Sequence, residues 1–178
     1  MKYKLLATAV FFLTTVSPFS RADSTFVDVG YSPKSGNVLE AIGLGAYQLK
    51  DDGMGFFING AFAINPTNYT DTSTYGTITE RAEAPYMVNV GMTFSVMPAG
   101  SDLPLYKSIH SYVGIGYGAL EGRAKDSWGW ANETSRDKSG ANVTAGFILG
   151  FENWGINLGV NSYTKTVYIG LGMKTPPK

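Results

Sequence analysis

The chain has 178 residues, 14 Lys+Arg against 14 Asp+Glu, one histidine and no cysteine. Nucleic acid wants a basic stripe that this balance does not supply, a single histidine without cysteine is too little for a zinc site, and no disulfide is available to stabilise a thin core. Beyond the first 22 residues no apolar run approaches the ~20 residues of a membrane-spanning helix, which excludes a helical membrane protein.

Residues 1–22 read as a secretory signal peptide. Lys2 and Lys4 precede an apolar run, Leu5 to Val16, and Ser20-Arg21-Ala22 has the small-x-small form of a cleavage site. The run is too short for a membrane anchor. Residues 23–178 then form one domain on size. Losing Lys2, Lys4 and Arg21 leaves 11 basic residues against 14 acidic ones, a net charge of −3.

With 22 glycines and no helix-period segment after the leader, the remainder points to β structure. Eight alternating segments follow in order: 24–31, 38–49, 55–65, 86–97, 109–119, 141–151, 154–161 and 166–173. The fourth shows the pattern best. In YMVNVGMTFSV, Tyr86, Val88, Val90, Met92, Phe94 and Val96 alternate with Met87, Asn89, Gly91, Thr93 and Ser95. Successive side chains on a strand point to opposite faces, so one face is apolar and the other small and uncharged. The sixth, seventh and eighth segments repeat this. The second is ambiguous, because Ile42 and Leu44 share a face with Glu40 and Gln48.

Charge placement decides between environments. Of the 25 charged residues after the leader, only Asp28 and Glu40 fall inside the eight segments. A soluble sandwich would solvate its outer faces with charge along the strands. The connections also alternate in length. The long ones, 66–85 and 120–140, fall third and fifth; the tight ones, 50–54 and 152–153, fall second and sixth. An up-and-down barrel puts each pair on one side. The expected fold is therefore all-β: a closed eight-stranded antiparallel up-and-down transmembrane β-barrel, apolar face to lipid and polar face inward. Closure satisfies the backbone where no water can, and eight strands leave room only for side chains. Tyr31, Tyr47, Phe56, Tyr86, Tyr117, Phe151 and Trp154 are the expected lipid-side aromatic girdles.

The GYSPKSGN hairpin at 30–37, the strand SYVGIGYGALEG at 111–122 and the final VYIGLGM at 167–173 carry a resemblance. In order and spacing the chain resembles the small eight-stranded outer-membrane barrels typified by outer-membrane protein X, Ail and Lom, with the opacity-type porins as wider relatives. The likeness spans nearly all of 24–173 as architecture. It implies no enzyme site, and a role in adhesion, serum resistance or envelope integrity through the outer loops. Where such barrels end on an aromatic residue, Met173 closes the pattern here.

Few residues invite chemistry. His110 and Ser111 are neighbours on a strand and face opposite ways, so they cannot form a dyad. The Gly repeats at 114–118 and 170–172 lack the helix and spacing of a dinucleotide site and read as space for larger interior neighbours. Asp28 and Glu40, if inward, need partners; Asn59, Asn89, Tyr112, Tyr168 and Arg81 are candidates. The expected interior polar network comprises Glu40, Asn59, Asn89, His110, Asn142 and Asn157. In the loops, Trp128, Trp130, Tyr69 and Tyr75 are the candidate anchors for a ligand or partner, since aromatics on polar loops serve well as contact sites; packing against the other loop is the plainer alternative for both tryptophans.

The expected function is non-enzymatic: an outer-membrane β-barrel over 23–178 acting in surface contact or envelope support through loops 66–85 and 120–140. Outer-membrane lipid and lipopolysaccharide, and host surface or matrix molecules, are the expected partners. The expected state is a monomer, and no cofactor, metal or nucleic acid is called for. The alternative is a soluble periplasmic or secreted lipocalin-like barrel with a small apolar ligand inside.

Overall fold

The structure, a computed structural model, describes residues 24–64, 77–97 and 107–175; the leader expected over 1–22 lies outside them. Nine strands follow one another: β1 Ser24–Ser32, β2 Ala41–Leu49, β3 Met54–Ala63, β4 Glu80–Met97, β5 Ser108–Asp126, β6 Gly129–Asn132, β7 Lys138–Gly150, β8 Trp154–Asn161 and β9 Thr166–Thr175. Consecutive strands pair antiparallel, except that β6 and β7 both pair with β5, and β9 returns to β1 through Val29↔Leu171 and Tyr31↔Ile169. Eight strands thus close an up-and-down barrel. The ninth, β6, is the upper part of the strand that continues as β7; both pair with the same side of β5.

The period-2 pattern becomes two walls. Val27, Val29, Val88, Val90, Met92, Val113, Ile115, Leu158, Val160, Ile169 and Leu171 point outward, each 40–70% exposed. Inside, one cross-section is filled by Phe26, Tyr47, Leu49, Phe57, Tyr112 and Ile148. The rings lock together: Tyr47 stacks on Phe57 at 5.4 Å between centroids, and Tyr112 meets Tyr47 at 5.2 Å and Phe57 at 5.1 Å. Such contacts are worth roughly 0.5–1.5 kcal/mol each beyond burial. Glycine makes the room. A Cβ at Gly43 would lie 2.5 Å from Cε2 of Tyr168, and one at Gly114 would lie 2.6 Å from Cζ of Phe57.

Short turns close the ends. Ser35 and Val38 bridge across Gly36 and Asn37, with Gly36 at φ 59°, the left-handed conformation that two-residue hairpin turns ask of their first central residue. At the opposite end Gly53 takes φ 92° before β3, and Phe151 N–H bonds Trp154 O at 2.8 Å.

Three expectations change. Tyr47 is not a girdle residue; it is fully buried inside. The ambiguous second segment is fixed by pairing, because Val29↔Leu44 and Tyr31↔Ile42 put those residues outward and Phe26↔Tyr47 puts the ring inward. Residues 80–85, expected as loop, belong to β4, and most of 120–140 is a hairpin of β5, β6 and the start of β7.

Candidate functional site

Two places hold polar chemistry: the barrel interior and the hairpin that outgrows the barrel at the end of the long connections.

In the interior, a chain of side-chain hydrogen bonds crosses from β1 to the rim. Asn157 Nδ2 donates to Asp28 Oδ2 at 2.7 Å and to Tyr47 Oη at 2.8 Å. Asn59 Nδ2 donates to the same Tyr47 hydroxyl at 3.0 Å, and Asn89 Nδ2 to Asn59 Oδ1 at 2.9 Å. Asn142 Nδ2 donates to Asn89 Oδ1 at 2.7 Å and Asn161 Oδ1 at 3.1 Å, and Tyr163 N–H closes the chain on Asn142 Oδ1. Asn59, Asn89, Asn142 and Asn157 therefore meet. His110 is buried elsewhere, its Nε2 3.3 Å from Lys50 O near the tight-turn end. Glu40 does not join them; it precedes β2 at the opposite rim, half-buried, its carbonyl accepting from Ile64 N–H. Asn161 and Tyr47 were missed. Asn161 shares the parity of Asn157 on one strand, a signal that was available; Tyr47 sat in the ambiguous segment.

Small voids remain between the interior side chains. A cavity of about 10 Å³ lined by Asn59, Met87, Tyr112, Thr144, Asn161 and Tyr168 has room for about one water. Among the described residues no three of His, Cys, Asp and Glu gather as metal ligands would.

The outer hairpin is built differently. Leu120 pairs with Lys138, but three residues higher Arg123 pairs with Asn132, so the descending strand carries three extra residues. These make a short 3₁₀ turn, Thr134–Arg136. Gly122 faces the insertion: its N–H donates to Asp137 Oδ1 at 2.9 Å and its carbonyl accepts from Glu133 N–H at 2.8 Å. A Cβ there would meet Glu133 O at 2.5 Å. Glu133 also accepts from Arg81 Nε at 3.3 Å through both carboxylate oxygens, with Arg136 Nε at 3.7 Å; Lys138 Nζ donates to Glu83 at 2.9 Å.

The other face of this hairpin has a small apolar core of Leu39, Ala82 and Ala84, against which Ala63, Tyr86 and Trp130 pack. The connection between β1 and β2 supplies Leu39 by pairing with β4: Leu39 N–H bonds Glu83 O, and Glu83 N–H bonds Asn37 O.

The structure thus separates the two tryptophans. Trp130 is half-buried on the apolar core, with Lys125 Nζ 5.6 Å from its ring, so it belongs to the hairpin's packing. Trp128 stands at the tip, 72% exposed, its N–H held by Asp126 Oδ1 at 2.7 Å. Gly129 then turns the chain at φ 124°. Tyr69 and Tyr75 lie outside the described residues.

No protein-family model matches the chain, and no curated protein matches it. Among solved structures it is similar to Ail, the attachment invasion locus protein of Yersinia pestis. The crystal structure of Ail with the heparin analogue sucrose octasulfate aligns with a TM-score of 0.60 at 15% identity, over 86% of this chain and 99% of that one. A second Ail crystal structure gives 0.58 at 12% identity over the same shares. The backbone structure of the outer membrane protein Ail in a phospholipid bilayer nanodisc gives 0.51 at 16%, again over 86% and 99%. At these identities the likeness is one of fold: the chain is a closed eight-stranded antiparallel β-barrel shaped like that outer-membrane protein.

Proposed function

We propose that this is a bacterial outer-membrane protein, exported with a leader over 1–22, that crosses the membrane as a monomeric barrel and works without catalysis, by surface contact through its outer hairpin. The observation that carries this is the outward wall. Its apolar side chains form a contiguous exposed band far larger than a soluble monomer tolerates, while Asn, Thr and Tyr are turned inward. A lipocalin-like carrier needs a pocket of several hundred Å³, whereas Phe26, Tyr47, Leu49, Phe57, Tyr112 and Ile148 fill a cross-section of this interior.

Outer-membrane lipid and lipopolysaccharide would surround the band, and host surface or matrix molecules are the class of partner for the hairpin. Ail, named for attachment and invasion and crystallised with a heparin analogue, supports a surface role by analogy. The chemistry here points away from polyanions, however. Lys34, Arg81, Arg123, Arg136 and Lys138 each lie within 4 Å of a carboxylate of the same chain, which weakens their pull on a polyanion and leaves Trp128 as the exposed aromatic of the tip.

Cell fractionation followed by electrophoresis of boiled and unboiled samples tests the reading. A band in the outer-membrane fraction whose mobility shifts on boiling is expected; a soluble periplasmic protein with no shift would turn the barrel inside out. Trp128→Ala is expected to keep the shift while lowering adherence of expressing cells to matrix-coated surfaces on the order of tenfold, as loss of an aromatic hot spot does. Unchanged adherence would remove Trp128 from the contact.

A further inference from the structure

The hairpin that carries Trp128 is secured unevenly. Its ascending strand, β5, lies between β4 and β6, and β4 follows it as far as Glu80↔Lys125. The descending strand, β6, has four residues, pairs with β5 alone, and is cut off from β7 by the insertion. β6 is therefore the short edge strand of a three-stranded piece made with β4 and β5. Trp130 packs β6 onto the apolar core that Ala82 and Ala84 of β4 help to form, and a polar link also reaches β4 from beside β6. Arg81 of β4 lies in register with Ala124 of β5, which lies in register with Ala131 of β6. Directly paired residues share a face, so the three form a row. The two alanines are fully buried and small enough for the arginine to pass over, and its guanidinium reaches Glu133, the residue that follows β6. Glu133 is only 15% exposed while Arg81 is 49% exposed, so the pair is open to solvent on the arginine side and partly shielded on the carboxylate side.

We propose that Glu133 is the positioning residue of the Trp128 tip: through Arg81 it ties the descending strand to β4 across β5 and fixes the direction of the hairpin relative to the barrel. Its purpose rests on the surface-contact reading, since a single exposed ring binds well only if it is held in place beforehand. The mechanical claim is measurable without any partner.

The chain has no cysteine, so two spin labels are placed cleanly in the full-length protein in lipid, at Trp128→Cys on the tip and Val167→Cys on the exposed wall of β9. The width of the distance distribution between them reports how far the hairpin sways. A narrow distribution is expected in the parent, and a broad one in Glu133→Ala and equally in Arg81→Ala, which cuts the link from the other end. The gel shift on boiling should persist in every variant, because the barrel below is untouched. If either variant stays as narrow as the parent, or if the gel shift disappears along with the narrow distribution, Glu133 is not a positioning residue. If both variants broaden while Trp128→Ala leaves adherence unchanged, the positioning stands and the surface-contact reading falls.

Discussion

Val90→Lys is expected to abolish most outer-membrane assembly. Val90 is 53% exposed on the outward wall, in register with Ile58 of β3 and Ile115 of β5, near the middle of the apolar band. A lysine at the bilayer midplane costs about 2–4 kcal/mol, and the cost falls to about 0–1 kcal/mol near the interface. Val96 points the same way close to the end of β4 and is similarly exposed. Val96→Lys should therefore assemble nearly as well as the parent. The heat-shifted fraction in isolated outer membranes reads both. A soluble barrel would tolerate the two lysines alike, so equal yields would remove lipid from the outer wall.

Asn157→Leu is expected to destabilise the barrel by about 3 kcal/mol. The Asn157 amide serves two acceptors at once, the Asp28 carboxylate and the Tyr47 hydroxyl. Leucine would leave both deep inside with one donor fewer. An unsatisfied buried group costs about 1–3 kcal/mol, more when charged, and breaking the partner of a buried charge costs up to about 5 kcal/mol. Adding Asp28→Asn to Asn157→Leu should recover most of the loss, because the carboxylate is what most needs the donor. Urea unfolding in lipid vesicles gives the four corners of the cycle, and the coupling between the two sites should exceed about 1 kcal/mol. Additive losses would mean that the carboxylate draws its support from elsewhere.

Much of the molecule follows from alternation alone. A strand has a side-chain period of two, so the repeated apolar and small polar sets in 86–97, 141–151 and 166–173 assign two faces before any contact is known. Charge kept almost wholly to the connections is the pattern a charge-excluding medium around the outer face would require, and the parity of long and tight connections assigns them to opposite ends. All five network asparagines, Asn59, Asn89, Asn142, Asn157 and Asn161, lie on the inward parity for the same reason.

The rest depended on partners distant in the chain. Tyr47 occupies a segment where glycine and glutamine blur both faces, and only its pairing with Phe26 turns the ring inward. Residues 80–85 and 120–140 read as loops because their faces carry ion pairs and alanines rather than an apolar set. The alternation there sets charged against small residues, as in Arg81 and Glu83 against Ala82 and Ala84, and without an apolar face it does not read as a strand. Trp128 and Trp130 lie two positions apart and look alike on paper. The apolar core from Leu39, Ala82 and Ala84 takes one of them, and the turn at Asp126 holds the other out. Local pattern determines which way a side chain points; what it meets there is decided by the register of strands far away in the chain, and that register exists only once the barrel has closed.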